Sequence, residues 1–292
     1  DRKAFGVVSA LYPVIEQLKI LFKDGISIFV NGKHERVYFR LAYVHGDNLS
    51  LNEVLGFSQS FNAKYYCRFC KAEKCEMQGM CIENSALLRN NDNYLGDAAK
   101  FDFSSTGIAS KSCLHDENIP FDITKNYVVD LLHDLLVGVC KYVIAYVLLE
   151  LITVVKVLSI DHLNARIRYF NYGPNDSKNK PTEFTLNKLK DLKVLKCIRF
   201  APLIFGDLVP SGLKCWKLFL LMREITLIVT APYIKKNSLD YLAFIIKCHN
   251  KLFIELYDTL KPKMHFLFHY PRLILRFFFS HYLLGVSSRR YT

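Results

Sequence analysis

Two short motifs, nearly two hundred residues apart, constrain this chain more than anything else in it. They are Cys67-Arg68-Phe69-Cys70 near the start and His265-Phe266-Leu267-Phe268-His269 near the end. Cysteines at C-x-x-C spacing and histidines at i, i+4 are the two halves of a Cys₂His₂ zinc site. A metal shared between them would pin together the ends of a long intervening segment. Each half also has a plainer reading. A lone C-x-x-C is the spacing of a redox pair, although no βαβ pattern surrounds this one. Either histidine alone suits a hydrogen-bonded, half-buried side chain. If their segment is helical both rings fall on one face, and Pro271 should end that helix.

The 292 residues have room for one large domain or two, with a real core. Half of them are hydrophobic, with 22 Phe and 17 Tyr, which excludes a disordered chain. A formal charge of +12 suits a polyanion such as nucleic acid, or simply a basic surface. The 9 cysteines are odd in number and scattered, and no signal-peptide pattern precedes them, so a reducing compartment is expected rather than a disulfide framework. Cys140, Cys197, Cys215 and Cys248 lie among apolar residues and read as buried thiols. Cys75 and Cys81 are additional ligand candidates. The longest apolar stretch, 128–160, is broken by Asp130, His133, Asp134, Lys141, Glu150 and Lys156. It predicts one or two buried core helices and no membrane span.

Along the chain, Leu11, Val14, Ile15, Leu18 and Leu21 repeat at helix spacing until Asp24-Gly25. Residues 26–30, the Asn31-Gly32 turn and residues 37–44 predict a β-hairpin whose second strand runs on toward Gly46-Asp47. A short helix and loop over 48–61 lead to the cysteine knuckle. Residues 73–125 are polar and aperiodic and predict a flexible surface excursion. From Val128 the chain reads as helical, with a loop over 171–181 and further helices over 184–200, 214–229 and 239–260.

Three features carry possible chemistry beyond the zinc ligands. Asp47 at a strand end is where RNase H-type phosphoryl-transfer enzymes place a magnesium ligand, but a lone Gly-Asp-Asn is more often a polar turn at a strand end. Asp130, His133 and Asp134, at i, i+3 and i+4, share one helical face, either a solvated stripe or a cluster aimed at a site. Arg166, Arg168, Lys178 and Lys180, then Lys188, Lys190, Lys193 and Lys196, form a basic tract suited to a DNA backbone or to plain exposure.

Taken in order, these residues resemble a known family. The run from Gly46 to Phe57 followed by Tyr65-Tyr66-Cys67-Arg68-Phe69-Cys70-Lys71 is similar to the middle of a DDE/D cut-and-paste transposase of the CACTA/Chapaev-like group. Val129 to Val139, with Asp130-Leu131-Leu132-His133-Asp134-Leu135-Leu136-Val137-Gly138-Val139, resembles that group's D-x-x-H-D-L-L-x-G-V helix. Met264 to Ile274 resembles its terminal histidine motif. The V(D)J recombinase catalytic subunit shares the same plan.

The resemblance implies an α+β, mostly helical protein: a partial RNase H-like α/β core interrupted by a large, zinc-stapled helical insertion. The implied divisions are 1–62 for the partial core, 63–270 for the insertion and 271–292 for the truncated C-terminal end of the core. Asp47 would be a catalytic carboxylate, with His133 near the active site. Cys67, Cys70, His265 and His269 would hold structural Zn²⁺, and Mg²⁺ or Mn²⁺ would serve catalysis in a complete enzyme. Double-stranded DNA is the implied partner, in the nucleus, with a homo-oligomer as the acting form and no membrane. The family's first aspartate and final glutamate have no counterparts here. Glu35, Glu53 and Glu255 do not stand in the right places, so the chain is expected to be a transposon-derived, DNA-binding fragment of a transposase that cleaves and transfers strands only when complete, the alternative being a catalytically dead DNA-binding module or a non-functional remnant. The hairpin is expected to keep an uncovered edge.

Overall fold

The computed structural model describes residues 2–177, 180–181, 183–185 and 194–283. The chain is mostly helical, with a small two-stranded sheet among the described residues. It divides into two compact units: unit 1 is Asp1–Met77 with Asn84–Asp130, and unit 2 is Gln78–Glu83 with Leu131–Thr292.

Unit 1 opens with α1 (Arg2–Lys23), kinked at Gly6, followed by β1 (Ile26–Val30) and β2 (Lys33–Val37). The strands pair antiparallel through Asn31-Gly32, both at positive φ (51° and 79°), as a tight hairpin turn requires. The second strand is shorter and earlier than the expected 37–44. A two-residue turn fixes the register so that Val37 faces Ile26. Beyond it the partner strand gives way to Gly25, where a Cβ would meet the Val37 carbonyl at 2.5 Å. The ladder ends at the Ile26–Val37 pair, and Val44 makes an isolated parallel bridge to Tyr127. Every residue of β1 is exposed, so the hairpin stands uncovered.

Helix α2 (Asn48–Leu55) begins where Asp47 caps it, and buries Leu51 and Leu55. Apart from Gln78–Glu83, which belongs to unit 2, the expected surface excursion over 73–125 instead builds much of the core of unit 1. It contains the short helices α3 (Lys74–Met77), α4 (Asn91–Ala99) and α5 (Phe103–Thr106), and it buries Tyr94, Ile108, Leu114, Phe121 and Ile123. The physical reason is local side-chain bonding. Asn90 and Asn93 form a reciprocal capping box on α4, and Asp102 caps α5. Asp122 Oδ1 accepts the Thr124 N–H at 2.8 Å. Polar residues satisfy the backbone here, so apolar ones insert singly and leave no period to read. The Tyr94 hydroxyl ties the segment to α2 by donating to the Leu55 carbonyl at 3.1 Å.

Unit 2 is built around α6 (Leu131–Val154). The helix winds as π over Leu131–Cys140, as α over Lys141–Leu149 and as π again over Glu150–Val154. Leu135, Val139, Val143, Val147, Leu148 and Leu151 are buried along it. Around it stand α7 (Ile160–Tyr169), the short α8 (Gly173–Asp176), α9 (Val194–Phe205), α10 (Lys214–Val229) and α11 (Ser238–Tyr257). Two further helices, α12 (Pro262–Leu267) and α13 (Tyr270–Leu283), complete the unit. α6 packs on α9, α10 and α12, while α11 packs on α10 and α13. Of the helix expected over 184–200, α9 covers the part from Val194, Phe184 is a buried coil residue, and residues 186–193 lie outside the described residues.

By length and composition α6 passes for a membrane span, with a mean hydropathy of 2.2, and half of its most apolar window is buried inside the protein. Two of the polar residues that argued against a span find partners within unit 2. The Tyr270 hydroxyl donates to Asp134 at 3.4 Å, and the Tyr257 hydroxyl donates to Glu150 at 3.1 Å. The helix packs as a core element.

Candidate metal centre

The cysteine half is a tight knuckle in unit 1. The Phe69 N–H donates to Cys67 Sγ at 3.3 Å, and the Ala72 N–H donates to Cys70. The residue two places on thus points its N–H at each sulfur, which favours a thiolate. Cys70 bridges antiparallel to Leu88, which pins the knuckle to the next segment. Two arginines brace it from inside. Arg68, fully buried between the two cysteines, donates to Asn48 Oδ1 at 2.6 Å and Asn52 Oδ1 at 3.3 Å, and lies over the Phe69 and Tyr127 rings. Arg89 donates to the Cys67 carbonyl at 3.1 Å and the Thr106 carbonyl at 2.8 Å. The contact with Cys67 and then burial push the Cys70 thiol well above its usual pKa. A metal must displace that proton to bind.

The histidine half lies in unit 2. His265 is on α12, and His269 occupies the break between α12 and α13. The two therefore do not share one helix. Pro271 sits in the first turn of α13, where a missing N–H costs nothing, rather than ending a helix that contains both histidines. Both side chains are fully buried, with ring centroids 5.2 Å apart. His269 Nδ1 donates to Glu83, whose two oxygens accept the Arg272 Nε–H at 2.9 and 3.0 Å. Burial raises the Glu83 carboxyl, but the bonds and charges of His269 and Arg272 outweigh it and hold it below the usual carboxylate range.

Cys67, Cys70, His265 and His269 form a buried group whose ligand atoms all lie within 4.8 Å of one another. Zinc–sulfur bonds of about 2.3 Å and zinc–nitrogen bonds of about 2.0–2.1 Å put tetrahedral ligand atoms roughly 3.3–3.8 Å apart. Two thiols and two imidazoles, buried and braced, fit structural zinc. Cys75 is exposed and Cys81 half-buried, and neither belongs to the group.

The other sequence-nominated residues have local duties. Asp47 stands at no strand end: it is the exposed N-cap of α2, its Oδ1 accepting the Ser50 N–H at 2.8 Å. Asp130, His133 and Asp134 do not form one solvated stripe. Asp130 precedes α6, Asp134 is fully buried, and His133 is exposed. The stretch winds i→i+5 from Leu131 onward, where α-helical spacing had been expected. The His133 carbonyl accepts Lys263 Nζ at 2.7 Å. That lysine passes over Gly138, where a Cβ would meet Lys263 Cδ at 2.6 Å.

In the basic tract, Arg166 pairs with Asp207 at 2.6 Å and Arg168 pairs with Glu183. Lys178, Lys188, Lys190 and Lys193 lie outside the described residues, as do the Lys196 and Cys197 side chains. Sequence reasoning missed Glu83, Arg89 and Arg272 altogether. Arg272 follows the histidine motif closely enough to have been suspected, whereas nothing in the spacing points to Glu83. No known family model matches the chain, and no curated protein matches it significantly.

Proposed function

We propose that this chain is a piece of a DDE/D-type transposase of the CACTA/Chapaev-like group, in which structural zinc bound by Cys67, Cys70, His265 and His269 staples a mainly helical insertion. The observation that carries the reading is the convergence of a C-x-x-C and a late histidine pair into one buried ligand group. That pairing is what the resemblance implies, and it is not required by either motif alone. When bound, the ion supplies a crosslink and no reaction chemistry. The RNase H-like nature of 1–62, the duplex DNA partner, the nuclear setting, homo-oligomer formation and a role for Mg²⁺ or Mn²⁺ in a complete enzyme belong to the same proposal and rest on the resemblance.

A non-catalytic reading of the chain by itself is favoured by Asp47. Its carboxylate is engaged at the N-terminus of α2, and in-line two-cation chemistry needs several convergent carboxylates. On this reading the chain binds DNA without cutting it. Fluorescence anisotropy with a labelled duplex at several salt concentrations, with Mg²⁺ or Mn²⁺ present, tests both parts. The logarithm of affinity should fall linearly with that of salt, by about 0.9 per phosphate neutralised, while the strands stay intact. No affinity even at low salt would overturn the DNA reading, and strand cleavage by this chain would overturn the non-catalytic one.

A further inference from the structure

We infer that Glu83 is the positioning residue of the metal centre, fixing the tautomer and ring angle of His269; the inference rests on the metal reading above. His269 Nδ1 donates to Glu83, and Arg272 Nε clamps both Glu83 oxygens at 2.9 and 3.0 Å. The clamp leaves the carboxylate one orientation, and the carboxylate leaves the imidazole one tautomer, with its proton on Nδ1 and its lone pair on Nε2. A metal-binding histidine ordinarily has such a partner, which raises its basicity and fixes its ring. The path of the chain supports the assignment. Gln78–Glu83 leaves unit 1 to join unit 2, anchored by the Leu260 N–H donating to the Gln78 carbonyl at 3.0 Å. That detour ends on the side chain that meets His269. The donor set is thereby extended to a carboxylate–histidine pair, and Arg272 is the group that holds it.

The test is zinc affinity of the full chain, measured by competition with a chromophoric chelator, for the native protein, Glu83→Ala and Glu83→Gln. The visible spectrum of the Co²⁺-loaded protein is read in parallel. Glu83→Ala should weaken zinc binding by about 10–100-fold and shift the Co²⁺ bands. Glu83→Gln retains an acceptor for Nδ1–H, and should restore most of the affinity and the native spectrum. Circular dichroism at saturating zinc checks that each variant folds. If Glu83→Ala does not fold, Glu83→Gln decides: near-native affinity and spectrum support the role, and a loss as large as that set for alanine overturns it. A native chain that binds zinc together with a folded Glu83→Ala of equal affinity and spectrum would overturn the inference alone. A native chain that binds no zinc would overturn the metal reading on which it rests.

Discussion

Asp47 Oδ1 accepts the Ser50 N–H, so its removal should be felt as helix stability before any chemistry is considered. Asp47→Ala should cost about 1 kcal/mol and Asp47→Asn only a few tenths, because asparagine also caps. Urea denaturation measures both, and equal losses would contradict a capping role. His249 makes a prediction of a different kind. It is fully buried, and burial pushes its pKa from 6.5 down to about 4, the bond to Asn250 opposing this only partly. Between those values the unfolded chain binds the proton and the folded chain does not. Its contribution is therefore complete above pH 6.5 and is lost as pH falls toward 4, by an amount on the order of 3 kcal/mol. His249→Leu should flatten the fall in urea midpoint between pH 7 and pH 4.5 relative to the native chain. An unchanged fall would show that other groups drive it. Asp97 and Asp122, whose pKa values are also depressed, act below that window, through and beneath the ordinary carboxylate value of 3.8.

Helix α6 and the β1–β2 hairpin stand at opposite ends of the packing scale. Leu135 and Leu151 are fully buried while Val154 is 71% exposed. Leu135→Ala or Leu151→Ala should therefore cost about 2–5 kcal/mol, and Val154→Ala no more than about 0.5 kcal/mol. If the exposed position proved as costly, the assignment of the buried face would be wrong. Hydrogen exchange should find the hairpin amides, on a sheet whose β1 residues are all exposed, less protected than those of residues 139–151. The reverse order would contradict the packing described here. These elements also mark what could be read in advance. Long periodic segments such as α10, and a turn as specific as Asn31-Gly32, are set by local chemistry and were legible. The extent of β2 was not, because it depends on where its partner strand ends. The core role of 73–125 was hidden because asparagine and aspartate caps hold it without a period. The π winding of α6 was not legible in its residues, which repeat as they would in an α-helix.

Across the whole chain, the ligand group was the feature best foreseen, since C-x-x-C and a histidine pair state their chemistry in their residue types. Its bracing by Glu83, Arg89 and Arg272 was not foreseeable, because those residues matter only through where the fold delivers them. If zinc staples the chain, stripping it with a chelator should lower the melting temperature, and returning one equivalent of zinc should restore it. The most direct test of the central claim is native mass spectrometry of the full chain beside Cys67→Ser and His269→Ala. The account predicts about one zinc per native chain, lost or greatly weakened in both variants, since each removes one ligand from a different half. Zinc retained in His269→Ala but lost in Cys67→Ser, or no zinc at all, would contradict the shared centre.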